Sequence, residues 1–283
     1  MEPVIENKNE KHYQRFTRLN RVLHVVMIVC FLSLASTGMT LKFAYTSWAV
    51  FLSHLFGGFE SAGYIHRVAA ATMIILFFTH IIDLVQRKRR EHGTWRAMLL
   101  GQDSMIFNKK DLHDLFGNFK WFIGRGPRPQ YGRWTYWEKF DYFAVFWGMI
   151  VIGSTGLMLW FPEFFTLLFP GWLINVATII HSDEALLAAG FIFTVHFFNT
   201  HFRPEKFPMD IVVFTGRMTL EELKEDKPLE YEALVKKGEL EQHMVEPYPD
   251  IIVRVFRIFG WTALSIGVGL IILIIYAMVF AYQ

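Results

Sequence analysis

Three pairs of histidines inside apolar sequence are the residues best suited to chemistry in this 283-residue chain: His66 with His181, His80 with His196, and His24 with His201. Ionisable side chains in membrane-spanning sequence are costly and usually mark a site. A neutral imidazole binds metals and haem iron, and it also transfers protons near neutral pH. The pattern therefore indicates either bound iron or a path for protons.

The composition indicates a membrane protein, because 53% of the residues are apolar, 17% are aromatic and only 19% are charged. Cys30 is the single cysteine, which excludes a disulfide within the chain and makes a cysteine-ligated metal cluster unexpected. The sequence C-x-x-C-H is absent, so a bound haem would be held without covalent links.

Five segments are long and apolar enough to cross a bilayer, which takes about 20 helical residues; they are 21–43, 63–86, 140–161, 182–202 and 255–282. We therefore predict an all-α polytopic membrane protein, with a four-helix haem-binding bundle and a fifth transmembrane helix. A basic stretch precedes the first segment, which is too long for a signal-peptide core and lacks a clear cleavage site. It reads as a retained signal anchor.

The distribution of basic residues predicts the topology. Of 28 Lys and Arg residues, all but Lys42 and Arg67 lie in or beside the N-terminal tail and the segments 87–139 and 203–254. These parts are expected on the cytoplasmic side, which places the N-terminus inside and the C-terminus outside. The expected location is the cytoplasmic (inner) membrane of a prokaryote.

The predicted organisation is a cytoplasmic tail at 1–20, a cytochrome bundle at 21–203, a cytoplasmic polar segment at 204–254 and the fifth helix at 255–283. Within 87–139, five apolar residues fall on one helical face and predict an amphipathic helix on the cytoplasmic membrane surface; they are Leu112, Leu115, Phe116, Phe119 and Phe122. In the polar segment, Thr219 and Glu222 predict a capping box.

The first four helices read as a duplicated hairpin, because the first and third helices share a Ser-Thr-Gly triplet and the second and fourth each carry two histidines. The two histidines within one helix, His66 with His80 and His181 with His196, are 14 or 15 residues apart. They are ~21–22 Å apart along the helix and point roughly the same way. Two facing helices of this kind can bind two stacked haems, each with one histidine from either helix. That arrangement predicts His66 and His181 as ligands of an outer haem, and His80 and His196 as ligands of an inner one.

Other polar residues lie near these histidines. Arg67 could pair with a haem propionate, or extend to the interface as a surface arginine. Asp183 and Glu184 are expected one turn into the fourth helix, where they either exchange quinol protons or cap the helix. In an α-helix, His196 and His201 would point ~140° apart, which would set two inner haems side by side.

Residues 15–215 resemble the membrane cytochrome b subunits of thiosulfate reductase, formate dehydrogenase and nickel–iron hydrogenase. The resemblance rests on "RLNRVLH", "GYIHR", "YWEKFDYFAVFWG", "STGLMLWFP", "HSDEALL" and "HFFNTHFRPEKFPMD", and is closest to the thiosulfate-reductase-like branch. It implies a haem b protein that exchanges electrons between membrane quinone or menaquinone and a partner at the outer face. That partner would be a multihaem c-type cytochrome or an iron–sulfur or molybdenum subunit; membrane lipid is expected around the chain, and no nucleic acid.

The inner ligands remain open between two patterns. The formate dehydrogenase pattern implies His24 with His196, whereas the internal repeat favours His80 with His196 and leaves His24 and His201 for a third haem or a quinone. The chain is expected to be an electron-transfer subunit. Two other functions fit the sequence less well. A di-iron oxidase or desaturase needs clustered histidine boxes, which are absent, and an ion transporter needs carboxylates in mid-membrane, whereas the acidic residues here lie near helix ends.

Overall fold

A computed structural model describes residues 11–90, 94–101, 103–207 and 209–281. The first ten residues of the predicted tail and the last two of the chain lie outside this range. Among the described residues, five helices are long and apolar enough to cross a membrane; they are Arg18–Lys42 (α1), Phe59–Arg90 (α3), Tyr136–Trp160 (α6), Trp172–Phe202 (α8 with its π-helical continuation) and Asp250–Phe280 (α12). The chain is thus an all-α polytopic membrane protein, as its sequence predicts.

The fourth span begins ten residues before the predicted start at residue 182. Residues 172–181 are mostly apolar, so the α-helix extends from Trp172 to Phe191. Asp183 and Glu184 consequently lie eleven and twelve residues after the first residue of α8. The prediction that they lie one turn into this helix, where they could cap it, is wrong.

Two π-helical segments, Ile192–His196 and Phe198–Phe202, continue α8 to its end. A π-helix bonds residue i to residue i+5, so residues five apart lie about one turn apart on the same side. The α-helical estimate that His196 and His201 point ~140° apart is therefore wrong. The side-by-side arrangement of two inner haems loses the geometric basis that the estimate gave it.

Short elements connect the spanning helices. The helices among them are Ser47–Leu55 (α2), Trp95–Leu100 (α4), Lys109–Phe122 (α5), Pro162–Leu168 (α7), Val212–Thr215 (α9), Leu220–Asp226 (α10), Pro228–Lys237 (α11) and the 3₁₀ turn Leu240–His243. The predicted capping box is confirmed, because Thr219 and Glu222 bond each other's backbone at the start of α10. Three short strands, which the sequence did not predict, are His12–Gln14 (β1), Arg217–Met218 (β2) and Met244–Val245 (β3).

The chain divides into two compact units. The first contains the described residues up to His24, then Leu84–Phe143 and Asp210–Arg257. In it, β1 lies between β2 and β3, with Tyr13 opposite both Met218 and Met244 in antiparallel pairs. Tyr13 also lies in a small apolar core with Val212, Met218 and Leu223.

A buried charge network supports the first unit. Arg15 bonds the carboxylates of Glu138 and Glu230, each at 3.2 Å. Lys227 bonds Glu138 at 2.6 Å, and Arg133 bonds Glu230 at 2.7 Å. Tyr13 donates to Glu230 at 2.9 Å; its burial, together with the Glu230 carboxylate, raises the pKa of Tyr13 to about 12. Each buried charge thus has a partner of opposite sign, which such burial requires.

The second unit contains Val25–Asp83, Ala144–Met209 and the residues from Ile258 onward. Its helices meet through aromatic and small side chains. Phe77 of α3 packs edge-on against Phe146 of α6, and Phe31 of α1 packs against Phe193 of the π-helical segment. Gly267 of α12 lies directly against Phe193 and Phe197. The fifth span therefore packs on the half of the fourth span that carries His196.

Candidate haem site

The imidazole rings of His66 and His181 form a close pair between α3 and α8. Their centres are 6.2 Å apart and their planes are inclined by 72°. The two residues are 115 positions apart in sequence, so only the packing of α3 against α8 brings them together.

Each ring of this pair is held at its Nδ1 atom. His66 Nδ1 lies 3.0 Å from the Thr37 hydroxyl, whose own proton is donated to the Ser33 carbonyl at 2.6 Å. The hydroxyl oxygen is therefore an acceptor for His66. His181 Nδ1 lies 3.0 Å from the carbonyl oxygen of Ile152, which can only accept. Both rings thus carry their proton on Nδ1, and Nε2 is the nitrogen with a free lone pair.

The glycines of the two Ser-Thr-Gly triplets make room for the rings. A Cβ atom on Gly38 would lie 3.2 Å from Cε1 of His66, and one on Gly156 would lie 2.9 Å from Cε1 of His181. Contacts under about 3 Å force a neighbour to move, so a side chain at Gly156 is incompatible with the present position of the ring. The glycines are required here for close approach, not for backbone flexibility.

The two halves of the site are equivalent in sequence. Thr37 and Gly38 of α1 contact His66, and Thr155 and Gly156 of α6 contact His181 in the same manner. Each threonine lies 118 residues from its counterpart, as does each glycine. The same contact thus occurs twice, because the triplet of one spanning helix supports a histidine of the next spanning helix along the chain. The sequence indicated the repeat but not the role of the threonines.

The distance between the two ring centres fits a six-coordinate haem. An imidazole nitrogen binds a metal at about 2 Å and lies about 1 Å from its ring centre, so two rings on opposite sides of one iron have centres about 6 Å apart. The observed separation is 6.2 Å. An Nδ1 proton donated to an oxygen fixes the tautomer and orientation that a ligand ring needs. No group of three or more His, Cys, Asp or Glu side chains that could hold a metal ion occurs within the described part of the chain.

The other predicted ligands lie on α3, on the π-helical continuation of α8 and on α1. His80 of α3 packs against Phe146 of α6, with ring centres 6.2 Å apart. His196 and His201 both lie against Phe197, at 6.4 and 6.3 Å, and His201 is buried. His24 lies in the second turn of α1 and belongs to the first unit.

Charged residues near the outer pair have defined neighbours. Arg67 lies over the ring of Tyr64 at 5.8 Å and lines an open groove of about 350 Å³ with Thr72 and Trp160. Asp183 pairs with Lys42 at 3.0 Å, and Glu184 accepts a hydrogen bond from the indole of Trp147 at 3.3 Å. Asp183 and Glu184 therefore bond across to α1 and α6 rather than to the first turn of α8.

Comparison with known proteins gives one informative likeness. The F420 non-reducing hydrogenase II cytochrome subunit of Methanosarcina mazei is 23% identical over 218 residues, which is 72% of this chain and 74% of that protein. No family model matches the sequence. The likeness covers most of both chains and is distant.

Proposed function

We propose that this chain is a b-type cytochrome subunit, which passes electrons between the membrane quinone pool and a redox partner through bis-histidine haems. The observation that carries the proposal is the His66–His181 pair, with ring centres 6.2 Å apart and each Nδ1 held by an oxygen acceptor. The name of the Methanosarcina relative, a hydrogenase cytochrome subunit, supports a membrane cytochrome role and association with a redox enzyme complex.

His66 and His181 bind the outer haem through Nε2 in this proposal. A haem bound there supplies one-electron chemistry, and its potential depends on the ligands and on their hydrogen bonds. Thr37, Thr155 and the Ile152 carbonyl hold the rings. Arg67 is the cation nearest in sequence to these ligands, and we assign it to a haem propionate.

The inner haem uses His196 with His80. His24 and His201 serve a third haem on the cytoplasmic side, or bind a quinone there; the alternative is a two-haem protein with His24 and His196 as the inner ligands. Because the inner and outer histidines of each helix are 14 or 15 residues apart, or ~21–22 Å, haems at the two levels form an electron path across the membrane.

The orientation follows from the positions of Lys and Arg. The N-terminus and the basic segments are cytoplasmic, the C-terminus is outside, and the membrane is the cytoplasmic membrane of a prokaryote. The redox partner docks at the outer face, where the connections carry neither Lys nor Arg, and is a multihaem c-type cytochrome or an iron–sulfur or molybdenum subunit. Quinone or menaquinone is the mobile electron carrier.

The test is haem counting and spectroscopy on the purified full chain. We expect at least two b haems per chain in a pyridine haemochrome assay, and loss of one in His66→Ala and in His181→Ala. Because the two ring planes are 72° apart, the outer ferric haem should give a strongly anisotropic low-spin resonance, unlike that of parallel imidazoles. One haem or none in the wild type would contradict the proposal.

The inner ligands are separated by single substitutions. If His80→Ala and His24→Ala both lose haem and the wild type holds three, the third-haem arrangement is correct. If His80→Ala retains all haem while His24→Ala loses the inner one, the two-haem arrangement is correct. The same absorption spectra discriminate both from a di-iron oxidase or an ion transporter, neither of which has haem bands.

A further inference from the structure

Helix α5 is amphipathic, and it buries its polar face instead of its apolar one. Asp111, Asp114 and Asn118, spaced i, i+3 and i+7, are buried. The apolar residues Leu112, Phe116, Phe119 and Ile123, spaced i, i+4, i+7 and i+11, are all at least 60% exposed. A helix of a water-soluble protein has the opposite arrangement, in which the apolar stripe faces the core.

The buried polar face is fixed by specific partners. Asp111 bonds Lys139 at 2.9 Å, and both side chains are less than a tenth exposed. Asn118 accepts from Tyr131 and donates to Tyr136, each at 3.0 Å. Rotating the helix to bury its phenylalanines would separate these groups and leave charges buried without partners, which is strongly destabilising. The apolar stripe is therefore held outward.

The partners of the polar face also fix where the helix lies. Tyr136 and Lys139 belong to the first turn of α6, which is one of the five membrane-spanning helices. A helix tied to the first turn of a span lies at the end of that span, at the level of the membrane surface. The turn after α5 packs tightly against the helix, because a Cβ on Gly117 of α5 would lie 2.9 Å from Pro129 of that turn.

Exposed cations accompany the apolar stripe. Lys109, Lys120 and Arg125 are exposed in and just after α5, and α3 ends in the run Arg87–Arg90 within the same unit. Basic side chains beside an apolar helical face are attracted to anionic lipid headgroups. We propose that the exposed face of α5 is a lipid-binding surface, which inserts its phenylalanines between the acyl chains of a leaflet containing anionic phospholipid.

Spin labelling of the full chain in vesicles tests this surface. Cys30 is buried and is the only cysteine, so Cys30→Ser gives a background for Leu112→Cys, Phe116→Cys and Phe119→Cys. Glu232→Cys, on the exposed surface of α11, is the aqueous control. The labels in α5 should collide several-fold more often with oxygen than with a water-soluble nickel chelate, and the control label should show the reverse preference.

The headgroup requirement is tested with the same labels. Adding phosphatidylglycerol to phosphatidylcholine vesicles should move the Phe119→Cys label deeper, and Lys109→Gln with Lys120→Gln should abolish that movement. Labels that the nickel chelate reaches as readily as the control would overturn the proposal. So would labels that neither collider reaches, because a second copy or a partner protein would then cover the face. A depth independent of phosphatidylglycerol would overturn the assignment to anionic lipid.

Discussion

Gly156 lies so close to His181 that a methyl group on it would stand 2.9 Å from Cε1 of the ring. The equivalent distance from Gly38 to His66 is 3.2 Å. Both glycines stand in the same position of a repeated triplet, and both face a proposed ligand of the outer haem. The repeat therefore offers two comparable positions at which the ring environment can be changed by a single methyl group.

We predict that Gly156→Ala disturbs the outer haem more than Gly38→Ala does. The added methyl group would lie too close to the His181 ring, so the ring must move. Overpacking of this kind costs about 1–3 kcal/mol. The measurement is haem content together with a redox titration of the purified protein. Gly153→Ala is the control in the same helix, since its methyl group would meet only Met149, at 4.0 Å. Equal effects at Gly153 and Gly156 would argue against a specific contact with the ring.

Thr37→Val should weaken the outer haem site and raise its redox potential. The variant keeps the side-chain shape and removes the oxygen that accepts the Nδ1 proton of His66, at 3.0 Å. Loss of such a bond lowers ligand basicity and typically costs 10–100-fold in metal affinity. A tenfold loss specific to the ferric state corresponds to about 59 mV for one electron.

Two related variants calibrate this prediction. Thr37→Ser retains the hydroxyl and should leave the potential close to that of the wild type. Thr155→Val should have the smaller effect, because its contact with His181 is longer, at 3.4 Å, and the Ile152 carbonyl still accepts from the same nitrogen. A potential that is unchanged in Thr37→Val would show that the threonine does not tune the iron.

Gly267→Ala should disturb the inner histidines while leaving the outer pair intact. Its methyl group would lie 2.6 Å from Phe193 and 2.7 Å from Phe197, and these residues belong to the π-helical stretch that carries His196 and His201. Separate redox titration of the two haem levels is the measurement. Gly269→Ala is the matched control, with no neighbour within 4 Å of its methyl group. A shift confined to the outer haem would contradict this prediction.

Arg15→Met should destabilise the first unit by about 3 kcal/mol, the lower end of the range for breaking a buried ion pair. The substitution removes the cation shared by Glu138 and Glu230, and Glu138 is partly exposed, which moderates the loss. Thermal unfolding followed by tryptophan fluorescence measures the change. Lys237→Met, at an exposed position of α11, should have little effect, and similar shifts in the two variants would contradict a role for the network.

Some properties of this protein follow from the sequence because they depend on the chain locally. A helix that crosses lipid must satisfy its own backbone hydrogen bonds, so the length and hydropathy of each segment predict all five spans. The capping box of Thr219 and Glu222 depends on residues three apart. The equal depth of His66 and His181 also follows from counting residues along two helices, once the spans are known.

Only the tertiary structure decided how these local elements are used. Whether two histidines 115 positions apart face each other depends on helix packing, and so does the pairing of Tyr13 with Met218 and Met244. The π-helical end of α8 does not follow from the sequence, because the apolar run there is equally compatible with an α-helix. Its close fit against Gly267 is a non-local contact. The outward face of α5 was decided in the same way, because the buried ion pair with Lys139 joins residues 28 positions apart and fixes which side the helix presents.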